Sequence, residues 1–165
     1  MRYYVAKISL LLIALGSYGN GFASESCSRT DNDVKILSWA FEAMMETNNY
    51  NFTTHNQDKA SIYFTKSAWT TFKKEFELQN RINKVINDKL VSTVGLQNSP
   101  LILQKSKTQW KVQMPLIINY RSAQKINVEN KIINLDIAKD PKAVNDCLII
   151  EAVKVIEMPS DACGH

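Results

Sequence analysis

The chain has 165 residues, a formal net charge of +4 and 45% hydrophobic residues. That is one domain's worth of chain, long enough to bury a core without staples. The lysines are spread along the sequence rather than gathered on a basic face, which argues against nucleic acid as a partner. Five glycines with no glycine-rich loop leave no phosphate cradle.

The first stretch, MRYYVAKISLLLIALGSYGNGFAS, reads as a secretory signal. Arg2 and Lys7 make a positive start, Ile8 to Gly16 an apolar run, and Gly21-Phe22-Ala23 a cleavage site of small residues. The apolar run is about half of the ~20 residues a membrane span needs. Cleavage after Ala23 is expected, leaving residues 24–165 as a single domain. It removes two basic residues and no acid, leaving 18 against 16 and a net charge of +2.

Export makes a disulfide permissible. The three cysteines, Cys27, Cys147 and Cys163, allow one bridge and one spare thiol. Cys27 and Cys163 flank the domain, and domain ends often lie close together, so they are the expected pair. Cys147 opens an apolar run and reads as an ordinary buried thiol. No C-x-x-C pair exists and the only histidines are His55 and His165, so no zinc site and no other metal or cofactor is expected.

Thr30-Asp31-Asn32-Asp33 reads as a helix start of the capping-box kind. Val34, Leu37, Phe41 and Met44 then recur at helical spacing as its inward face, ending near Tyr50. Met44-Met45 is core filler rather than a ligand pair. Asn51 to Phe64 is a connector with a short helical turn, and Asn51-Phe52-Thr53 fits a glycosylation sequon. Thr65 or Ser67 caps a second helix with Trp69, Phe72 and Phe76 inward, ending near Gln79-Asn80.

INKVINDKLVSTVGL is ambiguous. Ile82, Ile86 and Leu90 suit a helix, while the β-branched Val91 to Val94 suit a strand. After the turn at Asn98-Ser99-Pro100, LILQK begins a strand and Lys105 to Thr108 form a hairpin loop. The clearest strand follows. Trp110, Val112, Met114, Leu116, Ile118 and Tyr120 alternate with mostly polar neighbours and belong in the core. Pro115 lacks a ladder donor, so it belongs at an edge, a bend or a bulge.

Past a turn at Arg121 to Lys125, Ile126 and Val128 fall on even positions but Ile133, Leu135 and Ile137 on odd ones. A one-residue slip reverses every side chain, which implies a bulge or break near Asn130. Pro141 marks the next turn. Cys147 to Ile156 is apolar on both parities and reads as a central strand covered on both sides. Helices first and about four meandering strands after them make an α+β domain.

No constellation of catalytic residues assembles. His55 lies in a polar connector and His165 is the last residue. Cys147 is apolar-flanked, which makes a thiol inert. Asp136 alternates with Leu135 and Ile137 and should face water, while Glu151 sits in the two-faced last strand. Either carboxylate would need to face a pocket to serve as a base. The tryptophans read as core.

The motif order is recognisable. Phe64-Thr65 precedes Trp69 and Phe72. Lys89-Leu90-Val91-Ser92 and Pro100-Leu101-Ile102-Leu103 follow, then Trp110-x-Val112, Pro115-Leu116 and Tyr120, and finally Leu148-Ile149-Ile150-Glu151-Ala152. From about Ile62 to Pro159 this resembles the DotI/IcmL family of type IVB secretion systems, which includes a conjugation TraM. The resemblance implies a nuclear-transport-factor-two-like fold shared with the VirB-type periplasmic domain, with N-terminal helices on a curved antiparallel sheet. It implies a non-enzymatic assembly part that binds other secretion subunits and self-associates, and it places Pro115 in a recurring Pro-Leu step. Core-complex members carry a membrane anchor where this chain carries a cleavable signal. The expectation is therefore a soluble periplasmic paralogue, reaching the membrane only through partners. A binding module on the same fold is the second reading, and an isomerase-like enzyme a distant third.

Overall fold

The computed structural model describes residues 32–157. The expected signal and its cleavage site lie outside these residues, as do Thr30, Cys27, Cys163 and His165. Helix α1 (Asp33–Asn48) leads into a two-residue strand β1 (Tyr50–Asn51) and a 3-10 turn (Ala60–Tyr63). Helices α2 (Lys66–Glu75) and α3 (Leu78–Asn87) come next. Five more strands follow: β2 (Val91–Leu96), β3 (Leu101–Lys105), β4 (Gln109–Arg121), β5 (Ile126–Lys139) and β6 (Leu148–Glu157). All strands pair antiparallel in one curved sheet ordered β1-β2-β4-β5-β6, with β3 also on β4. The α+β expectation holds, with six strands rather than about four.

Local chemistry sets most boundaries. Asn32, not Thr30, caps α1, its side chain accepting from Val34 N at 2.9 Å. Thr65 caps α2 by accepting from Ala68 N at 3.2 Å. The second helix stops at Glu75, earlier than expected, because Glu77 takes a left-handed φ of 50° and a new helix starts beyond it. The ambiguous INKVINDKLVSTVGL divides as its residues suggest, helix through Asn87 and strand from Val91.

The inward face of α1 differs from the expected one. Ile36, Trp39, Ala40, Ala43 and Met44 are buried, Leu37 and Phe41 flank them, and Val34 is 68% exposed. The helix is apolar over a wide arc, and small Ala40 and Ala43 let it lie close to the sheet. Spacing of the large residues alone points about one position off.

All six even-numbered side chains of β4 from Trp110 to Tyr120 are buried under the helices. Pro115 does not sit at an edge. β4 is internal, paired with β5 along its whole length. On its other side, however, β2 ends at Leu96 opposite Leu116 and β3 begins at Leu101 opposite Gln113. Pro115 falls in the seam between them. Its carbonyl accepts from Gln97 N at 2.9 Å. The nitrogen of a strand residue points to the same side as its carbonyl, so the missing N–H faces a gap where no ladder bond is due.

The phase slip exists but in another strand. β5 pairs with β4 without a shift from Ile126 to Ala138, so there is no break at Asn130. Ile126 and Val128 are simply outward, 63% and 51% exposed, and Asn127 and Glu129 are inward. The shift lies where Asp136 faces Ala152 and Ile137 faces Ile150, leaving Glu151 as the extra residue of a bulge in β6. Leu148 and Ile150 are buried before it, Val153 after it. That reversal, not two covered faces, makes β6 apolar on both parities.

β6 is also an edge strand, not a central one. Its free backbone is covered instead. Phe64 bridges Ile150, Thr65 N donates to Ile150 O at 2.9 Å, and Glu75 accepts from Val155 N at 2.9 Å. Segment and helix thus protect an edge that would otherwise template pairing.

Candidate functional site

The concave side of the sheet is where such a fold would hold a ligand, and here it is filled. Ile36, Met44, Phe72, Phe76, Val112, Met114, Leu116 and Ile118 are each at most 1% exposed. An aromatic ladder runs through the layer, with Trp69 on Phe72 at 5.7 Å and Phe72 on Phe76 at 4.9 Å between ring centres. The tryptophans and Met44 belong to this packing, as read from sequence, whereas Met45 is half-buried and outside the core.

One end of the concave side is polar. Tyr50, Ser92, Tyr120 and Asn127 form a row across β1, β2, β4 and β5. Above it, Arg81 of α3 donates to Tyr120 Oη, to Glu129 and, at 2.6 Å, to Phe76 O. Its guanidinium also stacks over the Phe76 ring at 4.5 Å. Burial works against the charge of Arg81, but Tyr120 and Glu129 outweigh it and raise its pKa. Burial pushes the Tyr50 and Tyr120 hydroxyls up as well. The arrangement locks α3 to the sheet. It presents neither a nucleophile nor a base free to take a proton.

The two carboxylates singled out from sequence lie on the other side. Asp136 points outward and pairs with Lys111 at 3.5 Å, and Glu151 is exposed on its bulge. Both line an open groove of about 650 Å³ with Lys105, Lys111 and Trp110. A solvated ion pair in a wet, open groove does little to concentrate a substrate. His55 is exposed in the connector, where Asn51 of the sequon accepts from the Thr53 and Thr54 amides. Among the described residues no group of three or more His, Cys, Asp or Glu side chains is placed to hold a metal.

Cys147 departs from expectation. It is buried and disulfide-bonded, not a free thiol. Three cysteines make one bridge, so a bonded Cys147 leaves no room for the expected Cys27–Cys163 pair. Nothing in the sequence around Cys147 signals this; its apolar neighbours point the other way.

What sequence reasoning missed is the outer face. The outward row of β4 and β5 sets Pro115 beside Ile132 and Ile117 beside Asn130, and Ile132 beside Ile156 of β6. Val128 and Ile126 continue it beside Asn119 and Arg121, with Val91 exposed on β2. No described helix lies over this face, since α1 to α3 pack on the buried one. The signal was present in the even-numbered Ile126 and Val128, which the expected slip assigns to the core, and in Ile132 on the same parity.

The comparisons agree with this geometry. A family model described as the type IVb secretion system inner-membrane complex component matches residues 26–155, extending through α1 beyond the motifs read from sequence. The structure is similar to the periplasmic domain of DotI, with 27% identity, a TM-score of 0.69, and coverage of 79% of this chain and 99% of that one. An IcmL-like type IV secretion system protein from Legionella pneumophila shares the fold at 17% identity and a TM-score of 0.69, covering 78% of this chain and 94% of that one. A periplasmic fragment of TraM does so at 12% and 0.68, covering 77% and 98%. No curated protein sequence matches. The chain belongs to the DotI/IcmL family of type IVb secretion system components.

Proposed function

We propose that the protein works in the periplasm as a non-enzymatic part or accessory of a type IVb secretion system, binding other subunits of the apparatus through protein–protein contacts. The observation that carries this reading is the contrast between a filled concave side and an uncovered apolar outer face. An outward cluster of half-buried Pro115, Ile117, Ile132 and Ile156, with exposed Val128 beyond Asn130, is the kind of patch that marks an interaction surface. The exported, unanchored form expected from residues 1–23 fits a soluble accessory, and no described helix is long and apolar enough to cross a membrane.

The filled interior counts against a module that takes an apolar ligand under the helices. The solvated Asp136–Lys111 pair and exposed Glu151 count against an isomerase-like enzyme.

A photo-cross-linking residue at Val128, compared with one at solvent-facing Lys73 on α2, tests the reading in cells expressing the secretion apparatus. Cross-links from position 128 to secretion subunits support it. Wild-type secretion in a clean deletion, with no subunit cross-linked from either position, overturns it.

A further inference from the structure

We propose that the partner of Cys147 is Cys27, so that the chain ahead of α1 is covalently fastened to the loop that enters β6. This goes beyond the functional reading above, and the chemistry requires only a disulfide oxidant.

Reach separates the two candidate partners, Cys27 and Cys163. β6 leaves Cys147 and runs beside β5 from Lys139 to Lys131, eight residue steps. At the ~3.3 Å rise of a strand, its far end is about 26 Å away. Cys163 is six residues beyond Glu157. Six fully extended residues span at most about 21 Å, and a disulfide adds about 6 Å between Cα atoms. That sum barely equals the length of the strand, with nothing left for the reversal needed to come back. Cys163 therefore falls short.

Asp33, the nearest described helical residue to Cys27, stands at the correct end. Cys27 precedes it by six residues, the same reach with no reversal required. Asp33 pairs with Lys105 at the end of β3. Lys105 lies opposite Trp110, and Trp110 opposite Ile137. Lys139 N donates to Thr108 O at 2.8 Å, and Asp140 N to Cys147 O at 2.9 Å. The start of α1, the β3–β4 hairpin and the loop before β6 thus share one end of the sheet. β3 and β6 are three strand spacings apart, about 15 Å. The helix comes nearer still, since Trp39 and Glu42 line one depression with Asn145 and Asp146. A left-handed backbone at Asp146 and Cys147, φ 53° and 57°, belongs to the same tight loop.

The bond forms by exchange with a disulfide oxidant, either the disulfide of an oxidising protein or a small-molecule disulfide. One cysteine thiolate displaces a thiolate from the oxidant, and the second cysteine attacks the mixed disulfide. The two cysteines lose two electrons and two protons, and the oxidant leaves as two thiols. The bridge would close a loop of about 120 residues, in the range where cross-linking constrains the unfolded chain strongly.

Trypsin tests it directly, because the three cysteines fall on separate peptides ending at Arg29, at Lys154 and at His165. The full chain is exported or, in a second arm, purified reduced and reoxidised with oxidised glutathione. It is then alkylated and mapped without reduction. The expected result is the Cys27 peptide joined to residues 143–154, with Cys163 alkylated. Residues 143–154 joined to 155–165, a Cys27–Cys163 link, or three alkylated cysteines in both arms each overturn the proposal. A link in the glutathione arm alone supports the pairing and counts against export. Cys27→Ser should lower Tm by on the order of 5–10 °C, and Cys163→Ser should leave it unchanged. The reverse pattern also overturns the assignment.

Discussion

The inner and outer faces of β4 and β5 are built from the same strands and meet different neighbours. Inward, Val112, Met114, Leu116 and Ile118 lie against helices with almost no exposed area. Outward, Pro115, Ile117, Val128 and Ile132 form a row that no described element covers. Both rows are apolar, so hydrophobicity alone does not say which one holds the fold together. The helices decide it. Removing atoms from the inner row leaves a cavity, whereas removing them from the outer row leaves water where water already is.

The largest expected effect tests that difference. Leu116→Ala should cost about 2–5 kcal/mol of unfolding free energy in urea titrations. An equal cost for Val128→Ser would break the contrast.

Next comes alkaline pH. Burial, with the Glu42 carboxylate beside it, raises Tyr63 to about 12. The group favours its neutral form in the fold. Its contribution is therefore fully present below pH 10, the ordinary tyrosine value, and is lost as pH rises toward 12. Tyr63→Phe should flatten the loss of stability between pH 10 and 12, and Tyr50 and Tyr120, shifted the same way, should leave a residual slope. An unchanged slope in the variant would remove Tyr63 from the inner layer's account.

Glu129→Gln comes third. It leaves Arg81 its bonds to Tyr120 and Phe76 but removes the charge partner, at an expected cost of about 1 kcal/mol. Adding salt should weaken the wild type toward the variant, and salt-independence of the difference would argue against an electrostatic role. Pro115→Ala should change stability by less than about 1 kcal/mol, because the new N–H meets a seam rather than a broken ladder and only the freedom of the unfolded chain changes. A loss of several kcal/mol would place Pro115 in a continuous ladder. Val128→Ser, the smallest, should stay within about 0.5 kcal/mol in stability while weakening association with secretion subunits in pull-down assays.

Much of this was legible in advance. The alternation from Trp110 to Tyr120 announced an amphipathic strand, Thr65 announced a helix cap, and the motif order announced the family. Three expectations fail for one cause. The inward face of α1, the break at Asn130 and the central placement of β6 each rest on where the large apolar residues fall. In each case the true arrangement depends on what lies across from the residue. Small Ala40 and Ala43 are inward because the sheet comes close. Glu129 is inward because Arg81 waits for it. β6 is apolar on both parities because a bulge at Glu151 reverses it.

The candidate surface was hidden for the same reason. Ile126 and Val128 read as core, because sequence does not distinguish an apolar residue facing a helix from one facing a partner. Alternation alone places Asp136 on the wet side. Cys147 reads as free because its local sequence carries no mark of a bond to a distant residue.

By itself, then, the sequence determined the periodicities, the caps and the family, since each depends on neighbours a few residues away or on the order of short motifs. The tertiary structure alone decided which apolar face is buried, where the proline's missing donor is harmless and which cysteine is bonded. Those outcomes follow from pairing and packing between segments far apart in the chain, and no local pattern encodes them.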